Sequence, residues 1–127
     1  MLTGLVVEDD PSIQHLIVEL LREQGFDRVL VARDGEDALA QACACSLDLV
    51  VLDPGLGNSS GVEVAHRLKA LPGFETPILV TTALPRQQAE HACAEAGACE
   101  CVSKPFDITE FLRAVQRCTD GEAAVTA

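Results

Sequence analysis

Five short apolar runs, each followed by a segment with apolar residues at helical spacing, restrict this chain to one kind of architecture. The clearest run is LDLVVL, residues 47–52, whose core is apolar at consecutive positions. A strand with one wet face alternates apolar and polar residues. An unbroken run therefore reads as a strand covered on both faces, as in a parallel sheet flanked by helices. Shorter runs at 5–7, 29–32, 77–80 and 99–102 repeat the pattern. Between the first two, Asp10-Pro11 suits a helix N-cap and first position, Ile13, Leu16, Ile17, Leu20 and Leu21 recur at helical spacing, and Gly25 stops the helix.

The remaining helices carry similar signals. Asp34-Gly35-Glu36-Asp37 opens the second, with Ala38, Leu39 and Ala42 behind an acidic first turn matched to the helix dipole. Val62, Val64, Ala65 and Leu68 mark the third, residues 85–96 the fourth, ended by Gly97. Asp107 and Glu110 form a capping box for the last, whose stripe is Ile108, Phe111, Leu112 and Val115. Five such units predict an α/β fold, a doubly wound five-stranded parallel sheet with right-handed crossovers and five helices.

A length of 127 residues suits one domain. It is expected over 1–119, with 120–127 a flexible C-terminal tail. A net charge of −11 supplies no basic face, so direct nucleic-acid binding is not expected. No apolar stretch matches a bilayer, so membrane insertion is not expected either. The opening MLTGLVVEDD lacks the basic segment and apolar core of a signal peptide, and the expected location is cytoplasmic.

Cysteines stand at 43, 45, 93, 99, 101 and 118 without a CxxC pair or supporting histidines. They read as small buried thiols in a chain able to build a core without disulfides. Cys99 and Cys101, on the fifth strand, could face the same way, whereas Cys43 and Cys45 point to opposite sides of a helix. His15, His66 and His91 fall within helices and read as surface residues.

In a sheet of this kind ligands bind beyond the carboxyl ends of the strands. The reactive residues fall there. Strand 1 ends at Glu8-Asp9, strand 3 at Asp53, strand 4 at Thr81-Thr82 and strand 5 at Ser103-Lys104. Singly, an acid at a strand end is usually a helix cap or a solvated charge, and Asp10 is read as a cap. Together, three carboxylates repel, and a hard divalent cation with oxygen ligands relieves that repulsion. Lys104 adds a compact positive charge for an anionic group. Such a set suits phosphoryl transfer, in which catalysis is mostly positioning and charge neutralisation.

At this point the chain resembles the receiver domain of bacterial two-component response regulators, similar to the single-domain chemotaxis type. The resemblance runs from about 3 to 118. It rests on Glu8-Asp9 after LVV, Asp53 after LVVL, Gly61 eight residues on, Thr82-Ala83 after ILVT, and Lys104-Pro105-Phe106. It implies the flavodoxin-like strand order 2-1-3-4-5.

By the same resemblance, Asp53 accepts a phosphoryl group from the phosphohistidine of a sensor histidine kinase or phosphotransfer protein. Asp9, Asp53 and the backbone carbonyl of Gly55 would bind Mg2+, with Glu8 acting mainly through water. Thr82 and Lys104 would each hold a phosphoryl oxygen, and the Lys104-Pro105 peptide would be cis. The implied function is a phosphorylation-controlled interaction module, assisting only its own phosphorylation and dephosphorylation. Its protein partner would meet a face formed by the fourth helix, fifth strand and last helix, including Arg86, Gln87, Glu100, Cys101, Phe111 and Arg113. No output domain is expected after residue 118, whether the chain acts alone or belongs to a larger regulator.

Three departures from the family pattern stand out. Gly57 and Ser60 replace a proline and an aspartate in the loop after Asp53. Cys101 replaces the usual switch aromatic, which predicts signalling through Thr82 and the loop after strand 4. Gly55 and Leu84, two residues beyond Asp53 and Thr82, offer nothing to orient water, which predicts a long-lived phosphoryl group. Two other functions are conceivable. An aspartyl phosphohydrolase resembling haloacid dehalogenases would carry its nucleophile after the first strand and a second aspartate where Gly55 stands. A degenerate receiver would have no need of Thr82, Lys104 and the acids together.

Overall fold

The computed structural model describes residues 2–55, 60–105 and 107–120. Gly57, Phe106 and the expected tail beyond Asp120 lie outside the described residues. Strands and helices alternate throughout. They are β1 (Thr3–Val7), α1 (Pro11–Glu23), β2 (Arg28–Ala32), α2 (Gly35–Ala44), β3 (Leu49–Leu52), α3 (Gly61–Lys69), β4 (Ile78–Thr82), α4 (Arg86–Ala96), β5 (Glu100–Ser103) and α5 (Ile108–Asp120). The sheet order is β2-β1-β3-β4-β5 and every pairing is parallel.

Capping chemistry starts the helices where their sequences predict. Asp10 accepts from Ser12 N and Ile13 N with Pro11 next in line, Asp34 accepts from Asp37 N, and Asp107 accepts from Glu110 N at 3.1 Å. Gly97 closes α4 in the left-handed conformation. Between these ends, side-chain parity divides each strand between two cores. Leu5, Val7, Val50, Leu52, Ile78 and Val80 face α2, α3 and α4, meeting Ala38, Val64, Leu68 and Ala96. Val6, Leu49, Val51 and Leu79 face α1 and α5, meeting Ile17, Leu21, Phe111 and Val115. Each large side chain so removed from water contributes roughly 1.5–3 kcal/mol. Both faces of β3 are covered, which is why its sequence is an unbroken apolar run.

Four sequence expectations need correction. Cys99 and Cys118 are joined by a disulfide, with Cα atoms 6.1 Å apart, rather than lying as separate thiols. Cys99 occupies the bend before β5, so it turns towards α5, whereas Cys101 packs on the α4 side of the sheet; the two do not share a face. Cys43 is exposed. Phe111 does not belong to the outer surface of α4, β5 and α5, because it is fully buried between α5 and the sheet. His15, His66 and His91 are exposed, as expected. No helix among the described residues is long and apolar enough to cross a membrane.

Candidate functional site

Each strand that contributes to the site is prolonged by one backbone hydrogen bond past its apolar run. Glu8 N donates to Ala32 O at 3.1 Å, Asp53 N to Val7 O at 3.1 Å, and Lys104 N to Thr82 O at 2.7 Å. These bonds carry the polar residues one step beyond the core and leave them at a single rim. There, Glu8, Asp9 and Asp53 each offer a carboxylate oxygen, all within 4.8 Å of one another. Glu8 is 2 % exposed and Asp53 9 %, so both negative charges are largely withdrawn from water.

Lys104 bridges the two buried acids. Its Nζ lies 2.6 Å from Glu8 Oε1 and 3.0 Å from Asp53 Oδ2. The other Asp53 oxygen accepts from Gly55 N at 2.8 Å, which brings the Gly55 backbone against the carboxylate. Glu8 Oε2 accepts from Asp10 N at 3.3 Å. Thr82 Oγ1 accepts from Leu84 N at 3.1 Å, so its position at the mouth of the β4–α4 loop is fixed. The Lys104-Pro105 peptide is cis, as the resemblance implied.

Negative charge remains in excess. Burial raises the Glu8 carboxyl above its usual pKa, with Asp53 adding to the rise against the opposing bond from Lys104. For Lys104 burial works against the charged form, but its bonds to Glu8 and Asp53 prevail and hold its pKa above the ordinary lysine value. One ammonium therefore does not neutralise three carboxylates. An oxygen-only, partly exposed donor set of this charge fits a hard divalent cation such as Mg2+.

Two supporting residues escaped the sequence reading of their roles. Gln14, early in α1, donates from Nε2 to the Glu8 carbonyl. A glutamine one turn into a helix carries no signal of that kind. The spacing of Gly61 from Asp53 alone gives no reason for a glycine there. A Cβ there would come within 2.2 Å of Pro54 Cα and 2.6 Å of the Asp53 carbonyl oxygen, so α3 can start this close to Asp53 only with glycine.

A doubly wound parallel sheet with this acidic rim and a lysine opposite defines a class of α/β proteins whose site lies beyond the carboxyl ends of the strands and suits a divalent cation. The model of the response regulator receiver domain matches residues 5–116, and the chain belongs to that family. Among relatives, the transcriptional regulatory protein DltR of Streptococcus agalactiae is 35 % identical over 123 residues, covering 97 % of this chain and 54 % of DltR. The chain spans about half the length of the regulators it matches. Among solved structures, the Vibrio cholerae chemotaxis protein CheY4 is 28 % identical with a TM-score of 0.84, over 93 % of this chain and 98 % of that one. The receiver domain of sensor histidine kinase PA1611 from Pseudomonas aeruginosa, with a magnesium ion in its active-site cleft, is 30 % identical with a TM-score of 0.84, over 94 % and 98 % of the two chains. The protein is thus a receiver domain of two-component signalling.

Proposed function

We propose that Asp53 accepts a phosphoryl group from a phosphohistidine on a sensor histidine kinase or phosphotransfer protein, and that this changes the affinity of the chain for a protein partner. The observation that carries the reading is the placement of the Asp53 carboxylate, within 3.0 Å of Lys104 Nζ and inside the Glu8-Asp9-Asp53 cluster. One carboxylate oxygen would attack phosphorus as the phosphorus–nitrogen bond of the donor breaks, leaving an acyl phosphate on Asp53. Lys104 would exchange its bond to an acid for one to a phosphoryl oxygen, and the Thr82 hydroxyl would hold another. Asp9, Asp53 and the Gly55 carbonyl would hold Mg2+, with Glu8 acting through water. The ion would supply charge neutralisation for the transferred group.

This reading makes the chain a signalling module in the cytoplasm, with no substrate beyond its own phosphoryl group. The output partner would be a protein meeting α4, β5 and α5; the charge of −11 disfavours nucleic acid in that role. The test is incubation with Mg2+ and acetyl phosphate or beryllofluoride, comparing wild type with Asp53→Asn by intact mass. An adduct that requires both Asp53 and Mg2+ supports the proposal. Absence of any Asp53-dependent adduct overturns it.

A further inference from the structure

Cys93 and Cys101 face each other across the seam between α4 and β5, and their contacts cross. The Cys93 thiol on the helix donates to Glu100 O on the strand at 3.7 Å. The Cys101 thiol on the strand donates to Ala89 O, one helical turn before Cys93, at 3.9 Å. Each sulfur thus reaches the backbone of the other's element, which brings the two thiols to one seam. Both are half-buried against the apolar core, away from Cys99, which is bonded to Cys118 on α5.

We infer that Cys93 and Cys101 form a reversible dithiol–disulfide pair, an oxidation site that would tie α4 covalently to β5. The oxidant is a low-molecular-weight disulfide such as oxidised glutathione. The Cys101 thiolate attacks one sulfur of the donor, the donor's S–S bond breaks, and one thiolate leaves. Cys93 then gives its proton to water and attacks the Cys101 sulfur, expelling the second donor thiolate. Two protein thiols become one disulfide, and one donor disulfide becomes two thiols.

The order of attack follows from the environment. Burial, followed by the neighbouring Cys101 thiol and the Glu100 charge, holds the Cys93 thiol well above the ordinary range, so Cys93 suits the second step rather than the first. A free thiol at 101 has a partner within reach at 93, whereas exposed Cys43 has its neighbour Cys45 two residues on along the chain. The thiol chemistry is independent of Asp53. Only its consequence, that α4 loses freedom to shift on β5, bears on the receiver function proposed above.

The test treats the full chain with oxidised glutathione, blocks remaining thiols by alkylation in denaturant, and digests at glutamate. Cleavage after Glu90, Glu95 and Glu100 places Cys93, Cys99 and Cys101 on separate peptides. The expected product is a Cys93–Cys101 linked peptide, with both residues lost from alkylation together and restored by dithiothreitol. Cys93→Ser should trap glutathione on Cys101, and Asp53→Asn should oxidise as wild type does, which separates this chemistry from phosphorylation. The inference is overturned if Cys93 and Cys101 stay alkylatable after Cys43 has taken glutathione, or if Cys101 pairs with Cys99.

Discussion

Lys104 Nζ lies between Glu8 Oε1 and Asp53 Oδ2, at 2.6 and 3.0 Å, although 96 and 51 residues of chain separate it from those acids. With side chains no more than 12 % exposed, the three groups form an ion cluster whose members depend on one another. In the proposed function this lysine would receive an anionic phosphoryl oxygen.

Lys104→Met keeps the aliphatic stem and removes the charge, leaving Glu8 and Asp53 buried without their common partner. Loss of one partner from a buried pair costs about 3 kcal/mol. Urea unfolding at neutral pH without divalent ions should show that loss. The loss should shrink as pH falls towards the unperturbed carboxyl value of 4.5, because Glu8 already binds its proton more tightly in the folded chain. Protonation relieves the folded state more than the unfolded one, so the folded variant recovers. A loss that is constant with pH would argue that lost packing, and not stranded charge, is responsible.

Mg2+ should stabilise the wild-type chain, since a ligand that binds only the folded state adds about 2.7 kcal/mol at a hundredfold excess over its Kd. Asp9→Asn removes one of the three converging carboxylates, so most of that gain should disappear. Thermal unfolding with and without Mg2+ reads both. An equal shift in the two proteins would place the ion elsewhere.

Gly61→Ala tests the approach of α3 to Asp53. The new methyl cannot occupy its place 2.2 Å from Pro54 Cα, and the obstacle is backbone, which does not swing aside. Displacing it costs typically 1–3 kcal/mol. The variant should unfold at lower urea and form the Asp53 adduct more slowly, because the strained segment carries Asp53 itself. An unaltered midpoint and rate would mean that the loop relaxes freely.

The parts of this molecule legible in the sequence are those governed by short-range rules. Unbroken apolar runs exposed the covered strands, and Asp10, Asp34 and Asp107 announced their helices through capping. The acids and Lys104 were legible as a set because a parallel sheet puts every strand's carboxyl end on one side. What escaped depended on exact register and on contacts distant in sequence. Starting β5 at Glu100 rather than at 99 leaves Cys99 in a bend, free of strand alternation and able to meet Cys118. Helical period already put Phe111 on the apolar stripe of α5, and its packing against the sheet bears that out; only the resemblance had set it on the outer face. Gln14 reaches the Glu8 carbonyl through the turn between β1 and α1, a geometry that no residue pattern encodes.

Thr81 and Thr82 are adjacent in β4 and separate structure from function. Both are 1 % exposed, but the Thr82 hydroxyl accepts from Leu84 N, whereas Thr81 Oγ1 is buried with no hydrogen-bond partner among the described residues. A buried hydroxyl left unpaired costs about 1–3 kcal/mol. Valine has nearly the same shape and nothing to satisfy. Thr81→Val should therefore raise the urea midpoint, by about 1 kcal/mol in stability, and leave formation of the Asp53 adduct unchanged. Thr82→Val, by contrast, removes the hydroxyl proposed to hold a phosphoryl oxygen, and adduct formation from acetyl phosphate should slow at least several-fold. If Thr81→Val destabilises the protein, its hydroxyl has a partner such as buried water; if it slows the adduct, the roles of the two threonines are reversed.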